Sequence, residues 1–143
     1  MRSALCVLLM MSSTALAETW MTVTLASKHF NAESKQEEMN YGVGIEQDMA
    51  RNVRAVAGTY RNSNRRDSLY FGLSWHPLKA GDWRFGAVAM LVGGYETAKH
   101  PELIKAVVPV ISYETKKWGL NIPLIPATKD NAGAVGLQFK VRW

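Results

Sequence analysis

Cysteine is nearly absent: Cys6 is the single one among 143 residues, and it lies in the opening stretch, too early in the apolar run to serve as a lipoprotein cysteine. That stretch reads Arg2, then ALCVLLMM, then SSTALA, ending in Ala15-Leu16-Ala17 before Glu18. A basic start, a short apolar core and an A-x-A site make a cleaved secretory signal, so residues 1–17 are expected to leave and take Cys6 with them. The mature chain then enters an oxidising compartment with no disulfide to form, which excludes a disulfide-stapled module. Long apolar runs are also missing beyond residue 17, where none approaches the roughly 18 residues of a spanning helix. A chain of this kind that crosses a membrane must cross it with strands. His29, His76 and His100 have no metal-ligand spacing, so no metal is expected. Gly42-x-Gly44 lacks the strand-to-helix setting of a dinucleotide loop, and no cofactor is expected either.

What is present alternates. Eight runs of about ten residues follow the signal, at 19–30, 40–49, 53–61, 67–76, 83–95, 104–114, 118–125 and 132–143. In the last, Val135, Leu137, Phe139, Val141 and Trp143 point one way and Ala134, Gly136, Gln138, Lys140 and Arg142 the other. The fourth sets Leu69, Phe71, Leu73 and Trp75 against Tyr70, Gly72, Ser74 and His76, and the second sets Tyr41, Val43 and Ile45 against Gly42, Gly44 and Glu46. Eight such runs joined by short turns predict one domain, 18–143, an all-β eight-stranded antiparallel barrel closed on itself. A soluble lipid-binding barrel also alternates. The signal, the aromatic end of the last amphipathic strand, and tryptophans near run ends (Trp20, Trp75, Trp83, Trp118, Trp143) favour a transmembrane barrel of the outer-membrane type. The formal net charge of +5 falls by one with Arg2; in an exported protein it suits the phosphates of lipid headgroups rather than nucleic acid.

Both termini are expected on the periplasmic side, with turns at DMARN, PLKAGD and TKK and outer loops at 31–39, 62–66, 96–103 and 126–131. His76 beside Pro77 then reads as a turn residue. Eight strands leave too narrow a lumen for water, so side chains or one slim ligand fill it. Runs five and six are apolar on both faces, with Val88, Met90 and Val92 opposite Ala87, Ala89 and Leu91, mostly toward the outer half, while Lys140 and Arg142 put inward charge at the periplasmic end. Such a lumen suits one hydrocarbon chain entering from outside; simple plugging is the alternative. Pro109, Pro123 and Pro126 each remove a ladder donor in or beside runs six and seven, leaving either a lateral entrance or ordinary bulges.

The polar tip YRNSNRRDS, residues 60–68, ends run three with Asn62 and Ser63, while His29 ends run one on the same rim. A histidine near a serine hydroxyl is the minimum for general-base activation at an acyl carbonyl. His29, the segment AVAGTYRNS, the turn SWHPL, the run FGAVAMLVGGY and the segment VVPVISYETKKWGLNIPLIP together resemble the outer-membrane lipid A palmitoyltransferases, the PagP type. That resemblance implies transfer of a palmitoyl chain from an outer-leaflet phospholipid to lipid A by a monomer in the bilayer. Pro109 and Pro126 would flank a lateral gate, and His29 and Ser63 would be catalytic. Asn62 falls where that family has aspartate; it can orient a ring by hydrogen bonding but cannot carry the charge. Val88, Met90 and Val92 would line the acyl slot, and Lys28, Arg61, Arg65 and Arg66, with Lys99 and Lys129, would meet headgroup phosphate. A structural or adhesive barrel with a plugged lumen is the rival reading.

Overall fold

The computed structural model describes residues 17–30, 39–62, 65–94, 103–127 and 133–143. Eight strands follow one another: β1 (Thr19–Phe30), β2 (Gly42–Ala50), β3 (Val53–Arg61), β4 (Asp67–Ala80), β5 (Trp83–Val92), β6 (Ile104–Glu114), β7 (Trp118–Ile125) and β8 (Gly133–Arg142). Each pairs antiparallel with its neighbour in sequence, and β8 closes on β1 to make a barrel. All eight expected runs are present as strands. The expected signal lies outside the described residues apart from Ala17, and Ser63, Lys99, His100 and Lys129 lie outside them as well.

The period of two sorts the side chains. Met21, Val43, Ile45, Leu69, Phe71, Leu73, Val107 and Val141 stand exposed on the barrel exterior. Thr22, Glu46, Arg54, Ser74, Ser112, Asn121 and Lys140 are buried inside. A core of water-excluded ions with a greasy shell inverts the soluble pattern, and it is the arrangement that makes sense when lipid is the outer solvent.

Short turns join the strands at one end of the barrel, and the longer connections gather at the other. At the turn end Asn52 and Gly81 take the left-handed backbone (φ 63 and 61) that two-residue hairpins need. Residues 115–117 close the third turn, where Thr115 Oγ1 accepts from the Trp118 N–H at 3.1 Å.

Two expectations are corrected here. β4 continues through PLKA to Ala80, so the second turn is only residues 81–82, and His76 is an inward strand residue, 5 % exposed. Pro77 is accommodated by a bulge: the register jumps from Trp75↔Ala87 to Leu78↔Phe85, which sets His76 and Pro77 opposite Gly86 alone. Trp20 does not belong to an outer aromatic belt. It shares its face with Thr22 and is fully buried in the lumen, while Trp75, Trp83, Trp118 and Trp143 remain exposed.

Candidate functional site

The lumen has two unlike halves. At the turn end Glu46 (β2), Arg54 (β3), Glu114 (β6) and Lys140 (β8) form one buried ionic layer. Lys140 Nζ donates to Glu46 at 3.0 Å and to Glu114 at 2.6 Å. Arg54 donates through both terminal nitrogens to Glu114 and through Nε to Asp48 at 2.6 Å. Arg84 Nε reaches Glu114 at 2.6 Å. The Trp20 ring lies against the layer, with the charged ends of Lys140 and Arg142 each 5.0 Å and that of Arg54 5.6 Å from its centroid. Arg142 also holds Glu18 at 2.8 Å. Charges at this depth persist because each has a partner.

A hydrogen-bonded chain climbs from that layer. Asn121 Nδ2 donates to Glu46 at 2.5 Å, Ser112 Oγ donates to Asn121 Oδ1 at 2.8 Å, and Gln138 Nε2 donates to Thr24 Oγ1 at 3.0 Å. His76 Nε2 stands 3.3 Å from Ser112 Oγ. The Ser112 hydroxyl donates its proton to Asn121 Oδ1, so that proton is not offered to the imidazole as nucleophilic activation would need.

Toward the loop end the lumen becomes apolar. Val56, Tyr70 and Val92 are buried together, with Tyr60, Val88 and Met90 packed against them. Tyr70 and Tyr60 have ring centroids 6.0 Å apart. The Tyr70 hydroxyl lies where side chains on Gly44 and Gly58 would have to stand, since a Cβ at either would come within 2.6 Å of it. Glycine at these two places lets a tyrosine from β4 reach across the barrel.

At the loop-end rim His29 is half-buried on the inward face of β1, level with Ala134 of β8. The β1–β2 register stops at Thr24↔Gly42, so beyond the bulge at Leu25 the five residues Ala26–Phe30 pair with β8 alone among the described residues. Asn40 bridges the space: Ser27 Oγ donates to its Oδ1, and its Nδ2 donates to the Arg61 carbonyl at 2.9 Å. Asn62 is fully buried. Its Nδ2 donates to Ser68 Oγ and to the Gly94 carbonyl, both at 3.0 Å, and its Oδ1 accepts the Arg66 N–H at 3.1 Å. It therefore pins the tip at Arg65 and Arg66 to Ser68 and Gly94. Arg65, held at φ 61, and Arg66 are exposed on that tip, and Lys28 and Arg61 are exposed on the outward faces of their strands.

Among the prolines, Pro123 coincides with the break in pairing. The β6–β7 register runs from Glu114↔Gly119 to Val110↔Pro123 and stops there, and the β7–β8 register skips from Asn121↔Gln138 to Leu124↔Val135. Pro109 stays in β6 opposite Ala87 of β5, and Pro126 lies just past β7, so the two do not face each other across a ladder.

Of the ionic layer, the sequence pattern places Glu46 and Lys140 on polar faces, and Arg54 and Glu114 fall on the inward parity of their runs as well. What the alternation could not supply was the register that brings β2, β3, β6 and β8 to one level.

A closed eight-stranded antiparallel barrel with a lipid-type exterior and an ionic lumen is a transmembrane β-barrel of the outer-membrane type. Its fold is shared with the de novo designed protein TMB2.3, solved by solution NMR, which aligns over 90 % of this chain and 98 % of its own at a TM-score of 0.64 and 13 % identity. The Yersinia pestis outer membrane protein Ail, determined in a phospholipid bilayer nanodisc, aligns over 89 % of this chain and 99 % of its own at a TM-score of 0.46 and 9 % identity. No protein-family model and no curated sequence matches the chain.

Proposed function

We propose that the chain is an outer-membrane acyltransferase that moves a palmitoyl-type chain from a phospholipid to lipid A. The observation that carries this reading is the divided lumen beside an incomplete seam: ions close the turn end, the loop-end half is apolar, and β6–β7 pairing stops at Pro123. A hydrocarbon chain needs a blind apolar slot and a way in from the bilayer, whereas a solute pore needs neither.

In this reading the loop end faces the cell exterior. Val88, Met90 and Val92 contact the acyl chain, and Pro109 and Pro126 flank its entrance. Lys28, Arg61, Arg65 and Arg66 hold headgroup phosphates. His29 takes the proton of the attacking hydroxyl as the ester carbonyl is attacked. The bond from carbonyl carbon to glycerol oxygen then breaks, and the proton passes to that oxygen to release a lysophospholipid. Ser63 acts as nucleophile or polariser, and Asn62 fixes its tip.

A second reading has its own observation. The Val56–Tyr70–Val92 cluster already occupies part of the lumen, as a non-enzymatic structural or adhesive barrel would have it.

Mass spectrometry of lipid A from cells expressing the protein separates the two. One added acyl chain, absent with His29→Ala and Ser63→Ala, supports the enzyme. A lipid A profile that wild type leaves unchanged, or full activity in both variants, leaves the filled barrel.

A further inference from the structure

At the turn end, opposite the rim just described, a pocket of about 120 Å³ opens between Asp48, Ala50, Arg51, Asn52, Val53, Arg54, His76 and Arg84. Three arginines and a histidine from β2–β3, β4 and β5 share its wall with one carboxylate. Behind it, Glu46 and Glu114 are answered by Lys140 and Arg54, and Asp48 by Arg54. Arg84 engages only its Nε in this network among the described residues, and Arg51 stands exposed in the turn. With Glu18, which lies 3.9 Å from Arg54 and 2.8 Å from Arg142, layer and pocket bring the five cations Arg51, Arg54, Arg84, Lys140 and Arg142 to the four carboxylates Glu18, Glu46, Asp48 and Glu114, so one positive charge is left over.

We infer that this pocket binds a phosphate group. A carboxylate is satisfied by a single guanidinium fork, but a tetrahedral anion accepts donors from several directions at once, as guanidinium groups on different strands supply them. The volume admits a phosphate head and nothing much larger. Its depth fits too: Trp75 and Trp83 project outward from the two strands that carry His76 and Arg84, and Trp83 packs on Tyr113 at 5.0 Å. Exposed aromatics of this kind mark the headgroup level of a bilayer. The phosphate belongs either to a phospholipid of the adjoining leaflet or to free inorganic phosphate, and both present the same chemistry to the arginines.

The test uses the full chain folded in maltoside micelles, which contain no phosphate. One arm titrates inorganic phosphate and the other a short-chain phosphatidylglycerol below its micelle concentration, each followed by calorimetry and by the ³¹P line. Binding in either arm is expected, weakened about tenfold in Arg51→Ala and in Arg84→Gln. Binding of the lipid alone assigns the source to a headgroup; binding of phosphate alone assigns it to solute. No binding in either arm, or binding that both variants leave unchanged, overturns the inference. Should Arg84→Gln fail to fold, Arg51→Glu decides, because Arg51 lies in the exposed turn outside the ionic layer. Lipid A acylation is read at the opposite end of the barrel, so either reading can fail alone.

Discussion

Lys140 has no exposed surface and yet brings an amine into the lumen near its turn end. Its ammonium is tolerated because Glu46 and Glu114 lie at 3.0 and 2.6 Å and the Trp20 face at 5.0 Å. Arg54 cannot cover both carboxylates alone: it is bidentate on Glu114 and only 3.4 Å from Glu46. Truncating Lys140 therefore leaves Glu46 with Asn121 and the long 3.4 Å contact to Arg54 as its remaining donors. Lys140→Ala is expected to cost about 3 kcal/mol, as removal of one partner from a buried ion group does. The measurement is the midpoint of urea unfolding for the barrel refolded into vesicles; an unmoved midpoint would show that the layer contributes nothing to stability. Residues of this kind were partly legible. Parity alone places Glu46 and Lys140 inside, but their pairing depends on a register that joins residues 94 positions apart.

Among the elements, β4 departs furthest from its expected course. The sequence pattern ends the run at His76 and puts PLKAGD in the turn, but the chain absorbs Pro77 in a bulge and pairs on to Ala80. The cost moves to the partner strand. A Cβ on Gly86 would stand 1.8 Å from the Trp75 carbonyl oxygen, a backbone atom that cannot swing aside. Gly86→Ala must open the bulge or break the β4–β5 pairing beside it, and the expected loss is about 2 kcal/mol. Urea unfolding of that variant, compared with an alanine at the lipid-facing neighbour Phe85, checks the point: equal losses would mean that close backbone approach is not what the site requires. Strand number and order were legible because most runs alternate, and runs five and six, apolar on both faces, keep the same length between turns. The bulge was not, because Pro77 and Gly86 meet only across the hairpin.

At the scale of the whole molecule, closure and the inside-out distribution of polarity make one expectation. A sheet whose last strand pairs with its first closes on itself, and the ionic layer ties β2, β3, β6 and β8 through the lumen at its fully paired turn end. The exterior, with Leu69, Val107, Leu78 and Tyr41 all more than half exposed, has no favourable contact with water to offer. Such a body is stable only while lipid or detergent covers it, and once covered it resists unfolding as a unit. Fractionated without detergent, the protein is expected to sediment with membranes. On an unheated gel it is expected to run ahead of its heated, unfolded form, because the closed barrel stays compact in mild detergent. The same compact band should weaken in Lys140→Ala at lower temperatures than in wild type, which links the residue-scale loss to the global one. A chain recovered in the soluble fraction, with one mobility heated or not, would mean that the greasy face meets protein rather than lipid.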